Sequence, residues 1–158
     1  MGMLDGRVAA ITGGTRGIGR GCAEAFLEHG ANVVLNGRSE AKGAQAVAEI
    51  TGKYGPGRAH FIAGDVMKRE DIEGLIEGTV AHFGRIDILV NNAGGISASA
   101  MVADMSDEVF NEALVWNLWS TFWGTRKALA YMVPQGHGRI INISSVEGKH
   151  GKPGITQY

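Results

Sequence analysis

The chain has 158 residues, 44% of them hydrophobic and 20% charged, with a net charge of −1. That near-neutral balance removes the electrostatic case for nucleic acid or an anionic membrane surface as partner, and the composition is that of an ordinary soluble domain. A single cysteine excludes an intrachain disulfide, no apolar run reaches membrane-spanning length, and the N-terminus carries no charged segment followed by an apolar one, so the expected compartment is the cytoplasm.

Along the chain, short apolar runs alternate with longer helical patterns. A first strand is expected over Val8–Thr12, followed by a glycine-rich loop and a helix over Gly17–His29. Cys22, beside Ala23, Ala25 and Phe26 in that helix, reads as a small packed hydrophobe. Gly30 ends the helix and a strand follows over Asn32–Asn36. Ser39 is expected to cap a helix over Glu40–Gly52, and Tyr54–Arg58 reads as a loop inside the domain. Next come a strand at His60–Ala63, a helix at Lys68–His82 ended by Gly84, and a strand at Ile86–Asn91. Ser106–Met132 holds one long helix or two shorter ones, with Ser106 as cap, and Gly136 precedes a last strand at Arg139–Ser144. Strand cores such as VAAI, VVL and IDILV are near-continuously apolar, which suits strands covered on both faces. Strand–helix alternation of this kind builds right-handed βαβ units and an α/β, Rossmann-type doubly wound parallel sheet. No internal repeat or linker interrupts it, so residues 1–158 are expected to be the N-terminal portion of a single dinucleotide-binding domain.

The loop after the first strand reads Thr12-Gly13-Gly14-Thr15-Arg16-Gly17-Ile18-Gly19. A glycine turn between a strand and a helix can aim backbone N–H groups and a helix N-terminus at a pyrophosphate, and a Cβ there would block the turn or the approach of phosphate. The spacing is Gly13-x-x-x-Gly17-x-Gly19, not the common GxGxxG. Further along, Asp65-Val66 follows the third strand, Asn91-Asn92-Ala93-Gly94 the fourth, and Ile143-Ser144-Ser145 the fifth. Asn117 lies within VWNLWS, and Tyr158 is thirteen positions beyond Ser145. Together these resemble the short-chain dehydrogenase/reductase family over the whole chain, with 3-oxoacyl thioester reductases among the members it is most like.

The resemblance implies a sheet order of 3-2-1-4-5-6-7, of which this chain would hold the first five strands. It implies an NAD(P)-dependent oxidoreductase acting on a small-molecule carbonyl or alcohol, and a homodimer or homotetramer in the complete form. It places the cofactor on Gly13, Thr15, Arg16, Gly17, Ile18 and Gly19, on Asp65 and Val66 at the adenine, and on Asn91, Ala93 and Gly94. It assigns the catalytic proton to Tyr158, a hydrogen bond to the substrate oxygen to Ser145, and a water in the proton relay to Asn117. The family lowers the tyrosine pKa with a lysine four residues later, and that lysine lies outside these 158 residues. Two other readings therefore stand beside the enzyme: a non-catalytic nucleotide-binding module, and an inactive fragment. The substrate is not legible; a 3-oxoacyl thioester or small ketone is what the resemblance suggests.

Cofactor choice can be read at the end of the second strand. An acidic residue there would hold the ribose 2′-OH and favour NAD. Asn36-Gly37-Arg38 has no carboxylate, Gly37 stands where NAD-type members carry Asp, and Arg38 with Arg16 could pair with a 2′-phosphate. NADP is the expected cofactor, ahead of NAD.

Other features read as structural. Trp116, Trp119 and Trp123, with Leu114, Leu118 and Phe122 on another face, predict a helix buried on two sides, one against the sheet and the other against core or a second subunit. The five histidines show no metal-ligand spacing and read as surface or loop residues, and no metal is expected. Glu147, Lys149 and Lys152 read as solvated loop charges, and Asp104 and Asp107 as helix-start residues.

Overall fold

The computed structural model describes residues 2–158. Strands β1 (Val8–Ile11), β2 (Asn32–Gly37), β3 (Ala59–Ala63), β4 (Ile88–Asn91) and β5 (Arg139–Asn142) form one parallel sheet in the order β3-β2-β1-β4-β5. Helices α1 (Gly17–Glu28), α2 (Glu40–Tyr54), α3 (Arg69–Phe83), α4 (Asp107–Leu114) and α5 (Ser120–Met132) alternate with them, in a Rossmann-type α/β arrangement.

Alternation along each strand distributes the apolar residues to two layers. On one face Ala9, Ile11, Val33, Leu35 and Val90 meet Ala23 and Leu27 of α1 and Ala46 and Ile50 of α2. On the other, Ala10, Val34 and Leu89 meet Leu75 and Ile76 of α3 and Ala128 and Met132 of α5. Cys22 packs against the first of these clusters. Coverage on both faces is why the strand sequences carry no polar alternation. Ser39 and Ser106 cap α2 and α4, accepting from the N–H of Lys42 and Val109, each at 3.4 Å. Strand ends fall short of the expected ones where a ladder partner stops: β5 ends at Asn142, opposite Asn91, the last residue of β4.

Helices α4 and α5 are one rod joined by a π-helical turn, Val115–Trp119. The rod packs on the sheet along one side, and the described residues supply no core over the other. Its buried residues are small or slender, namely Ala113, Ser120, Gly124, Ala128 and Met132, because the rod lies close on the sheet; a Cβ on Gly124 would sit 2.9 Å from Asn91 Oδ1. Leu118, Trp119 and Phe122 face outward at 60%, 46% and 46% exposure. None of the five histidines is buried, and His60, on β3, stacks on the exposed His82 with ring centroids 4.0 Å apart.

One buried charge ties the bottom of the sheet together. The Asp87 carboxylate has no exposed side-chain surface and accepts from Arg7 Nη1 (2.9 Å), Arg85 Nε and Nη2 (2.7 and 2.6 Å) and the Val8 N–H (3.0 Å). His137 Nε2 lies 3.7 Å away. Burial pushes the Asp87 carboxyl up, but the Arg85 guanidinium, the Val8 N–H and Arg7 outweigh it and leave it below the ordinary range. A lowered folded-state pKa means stabilisation that is full above the unfolded value, about 3.9, and lost as pH falls through the folded value. Asp87→Ala is expected to cost about 2–4 kcal/mol at neutral pH, because it orphans the Val8 N–H and strips two guanidinium groups of their partner. Thermal melts at pH 7 and pH 3 check this: the gap between parent and variant should narrow at the lower pH.

Candidate functional site

The carboxyl ends of β1, β2, β3 and β4 open into a cleft of about 490 Å³. The glycine loop forms its floor. Gly13 has φ +64°, and a Cβ there would meet the Asn92 side-chain amide at 3.1 Å. Gly19 is tighter: a Cβ would stand 2.5 Å from the Gly13 carbonyl and 2.7 Å from Asn92 Nδ2. The loop is latched to the end of β4. Thr12 Oγ1 accepts from the N–H groups of Asn92 (2.9 Å) and Ala93 (3.0 Å), and Asn92 Nδ2 donates to the Thr12 carbonyl at 2.9 Å. Gly14 N–H bonds to the Asn36 carbonyl at 3.0 Å, which fixes the loop to β2 as well.

Of the residues singled out in the sequence, Gly13, Arg16, Gly17, Arg38, Asp65, Val66, Ala93 and Gly94 line this cleft. Thr15 and Gly19 do not line it; Thr15 lies behind Gly37, and Gly19 is buried under the loop. Arg38 and Arg16 are both exposed on the wall beside Gly37. Asp65 is held by a local turn, its Oδ1 accepting from the Met67 N–H at 3.0 Å and its own N–H donating to Asp71 Oδ2 at 2.8 Å.

A second cavity of about 320 Å³ shares Asn92, Ala93 and Gly94 with the first, so the two form one groove. Ile18, Asn91, Asn117, Ser145 and Tyr158 line this end. The Asn117 side chain is fully engaged there. Its Oδ1 accepts from the Gly95 N–H (2.9 Å), and its Nδ2 donates to the carbonyls of Gly95 (2.8 Å) and Ala113 (2.9 Å). The Asn117 carbonyl accepts from Thr121 Oγ1 at 3.0 Å. Glu147, on the loop after β5, accepts from the Ser145 hydroxyl.

Sequence reasoning passed over Thr12 and Asn92, which hold the groove's floor to its wall, although both stand inside the quoted motifs. It also passed over Glu112 and Trp116, which wall the larger cavity from α4 and the π turn; nothing in their helical pattern distinguishes them from packing residues.

The groove can take an elongated dinucleotide. A Cβ on Gly13 or Gly19 would press the loop off the Asn92 side chain, and the buried Asn36 Oδ1 on the wall has no partner within the protein. Among the described residues no helix is long and apolar enough to cross a membrane.

A glycine-rich loop after β1 and a cleft across the carboxyl ends of a parallel sheet are the marks of a Rossmann-type nucleotide-binding fold. Residues 7–158 match the family model for short chain dehydrogenase, and the chain belongs to that family. It is 41% identical over 155 residues to the 3-oxoacyl-[acyl-carrier-protein] reductase FabG of Haemophilus influenzae, covering 98% of this chain and 62% of the relative. It is 37% identical over 156 residues to glucose 1-dehydrogenase 2 of Bacillus subtilis, covering 98% and 60%, and 36% identical over 156 residues to the FabG of Chlamydia muridarum, covering 99% and 62%. The chain thus spans about three fifths of the length of these relatives.

Proposed function

We propose that the protein reduces a carbonyl, or oxidises the corresponding alcohol, with NADP(H) as hydride carrier, and that residues 1–158 are the front portion of its single dinucleotide-binding domain. The observation that carries this reading is the continuous groove from Arg38 and Arg16, past the glycine loop, to Ser145 and Tyr158. The cofactor, when bound, supplies or accepts the hydride. Backbone N–H groups of the loop from Gly13 to Gly19, other than that of Gly14, would hold its pyrophosphate, with Thr15, Arg16, Gly17 and Ile18 framing that turn. Asp65 and Val66 hold the adenine, and Asn91, Ala93 and Gly94 back the ribose and nicotinamide. Tyr158 gives its phenolic proton to the carbonyl oxygen, and Ser145 holds that oxygen in place. Asn117, pinned to Gly95, keeps its backbone carbonyl fixed for a water of the proton relay. The reductases among the relatives favour a 3-oxoacyl thioester or a small ketone as substrate. The outward Leu118, Trp119 and Phe122 favour pairing of this rod between subunits of a homodimer or homotetramer.

Cofactor preference gives the direct test. A bidentate guanidinium–phosphate pair contributes about 1.5–3 kcal/mol, so NADPH is expected to bind at least tenfold more tightly than NADH. Arg38→Asp should reverse the order by removing that pair and offering a carboxylate to the 2′-OH. Fluorescence titration of both cofactors measures it, and equal affinities in the parent protein would defeat the NADP assignment.

A further inference from the structure

Ser145 is tied to the residue two places on. Its hydroxyl donates to Glu147 Oε2, and the Glu147 backbone N–H donates back to Ser145 Oγ at 3.4 Å. The Ser145 hydroxyl and then the Glu147 N–H hold the carboxyl below the ordinary glutamate range against the effect of burial, and Lys152 adds its charge in the same direction. Glu147 is therefore ionised at neutral pH. A serine hydroxyl has one proton to donate, and a carbonyl oxygen has only lone pairs. While that proton points at Glu147, Ser145 presents lone pairs to the cavity it shares with Tyr158 and cannot donate to a substrate carbonyl. A hydroxyl–carboxylate bond is among the stronger hydrogen bonds, so re-aiming the proton costs free energy at each turnover.

We propose that Glu147 is a positioning residue that gates Ser145, holding its hydroxyl proton away from the substrate oxygen until the carboxylate finds another donor. This rests on the reading of Ser145 as the residue that holds the substrate oxygen. Replacing Glu147 should then free the donor. In residues 1–158 continued by the C-terminal part of the Haemophilus influenzae relative, Glu147→Gln and Glu147→Ala are each expected to raise kcat for ketone reduction about tenfold, with the KM for NADPH unchanged. Ser145→Ala should be slow, and the double variant Ser145→Ala with Glu147→Ala no faster than it. Turnover in the Glu147 variants at or below the parent, with Ser145→Ala slow, would overturn the gate and leave the role of Ser145 standing. Full turnover in Ser145→Ala would instead remove that role and the gate with it. A second measurement needs no turnover: carbon-13 titration of the Glu147 carboxyl in the same extended protein and its Ser145→Ala variant. Loss of the hydroxyl should move the midpoint up towards an ordinary glutamate, and an unmoved midpoint would refute the coupling.

Discussion

Produced by itself, the polypeptide of residues 1–158 is expected to self-associate rather than run as a monodisperse monomer. β5 is an edge of the sheet, and its sequence, RIIN, has no proline and a single charge at its start. Ile141 on that strand is 38% exposed, and Leu129 and Val133 lie uncovered at 42% and 70% near the end of α5. A row of unpaired backbone groups flanked by apolar side chains is a template for another strand. Covering each such side chain contributes about 1.5–3 kcal/mol, so a few of them rival the net stability of a domain, about 5–15 kcal/mol. Size-exclusion with light scattering should show oligomers or aggregate, and Ile141→Lys should shift the distribution towards monomer. A sharp cooperative melt from a monomeric parent would sink this expectation and strengthen the case for a stand-alone nucleotide-binding module.

The second large effect concerns chemistry. In the extended protein, Tyr158→Phe should lower ketone turnover at least a hundredfold, since it removes the proton donor while leaving the ring in place. Affinity for NADPH should hardly change, because the cofactor cleft proper is built from other residues. On the reading in which a lysine outside residues 1–158 tunes the tyrosine, the 158-residue polypeptide should bind NADPH without turning over. Near-normal turnover in Tyr158→Phe would show that the proton comes from another group.

Much of this molecule can be read from its residues in order. Strand cores such as VAAI and VVL, the caps Ser39 and Ser106, and the glycine loop after β1 are local signals, and each lies where local physics sends it. The cleft follows because a parallel sheet brings every strand's carboxyl end to one side, gathering Gly13, Arg38, Asp65 and Ala93 from stretches far apart in sequence. What escaped depends on which face of an element meets which neighbour. The outer face of α4 and α5 reads as buried by hydrophobicity alone, yet small residues take the sheet side because the rod approaches closely, leaving Trp119 and Phe122 outside. Glu147 looks like a loop charge until the short turn at Val146–Gly148 folds it back on Ser145. The latch between Thr12 and Asn92 joins residues eighty positions apart, and no spacing rule announces it.

The π turn at Val115–Trp119 bears on how this segment could change over evolution. Such a turn holds one more residue than a regular one while leaving the helix on either side in phase. Deleting a single residue there should let the rod close into an uninterrupted α-helix, with Ala113 and Gly124 still facing the sheet. The packing would survive, but the bulge that lets the Asn117 amide span Gly95 and Ala113 would go. The turn is thus a detachable insertion in an otherwise ordinary helix. A homologue lacking that one residue should keep the fold while losing the clamp on the Gly94–Gly95 loop.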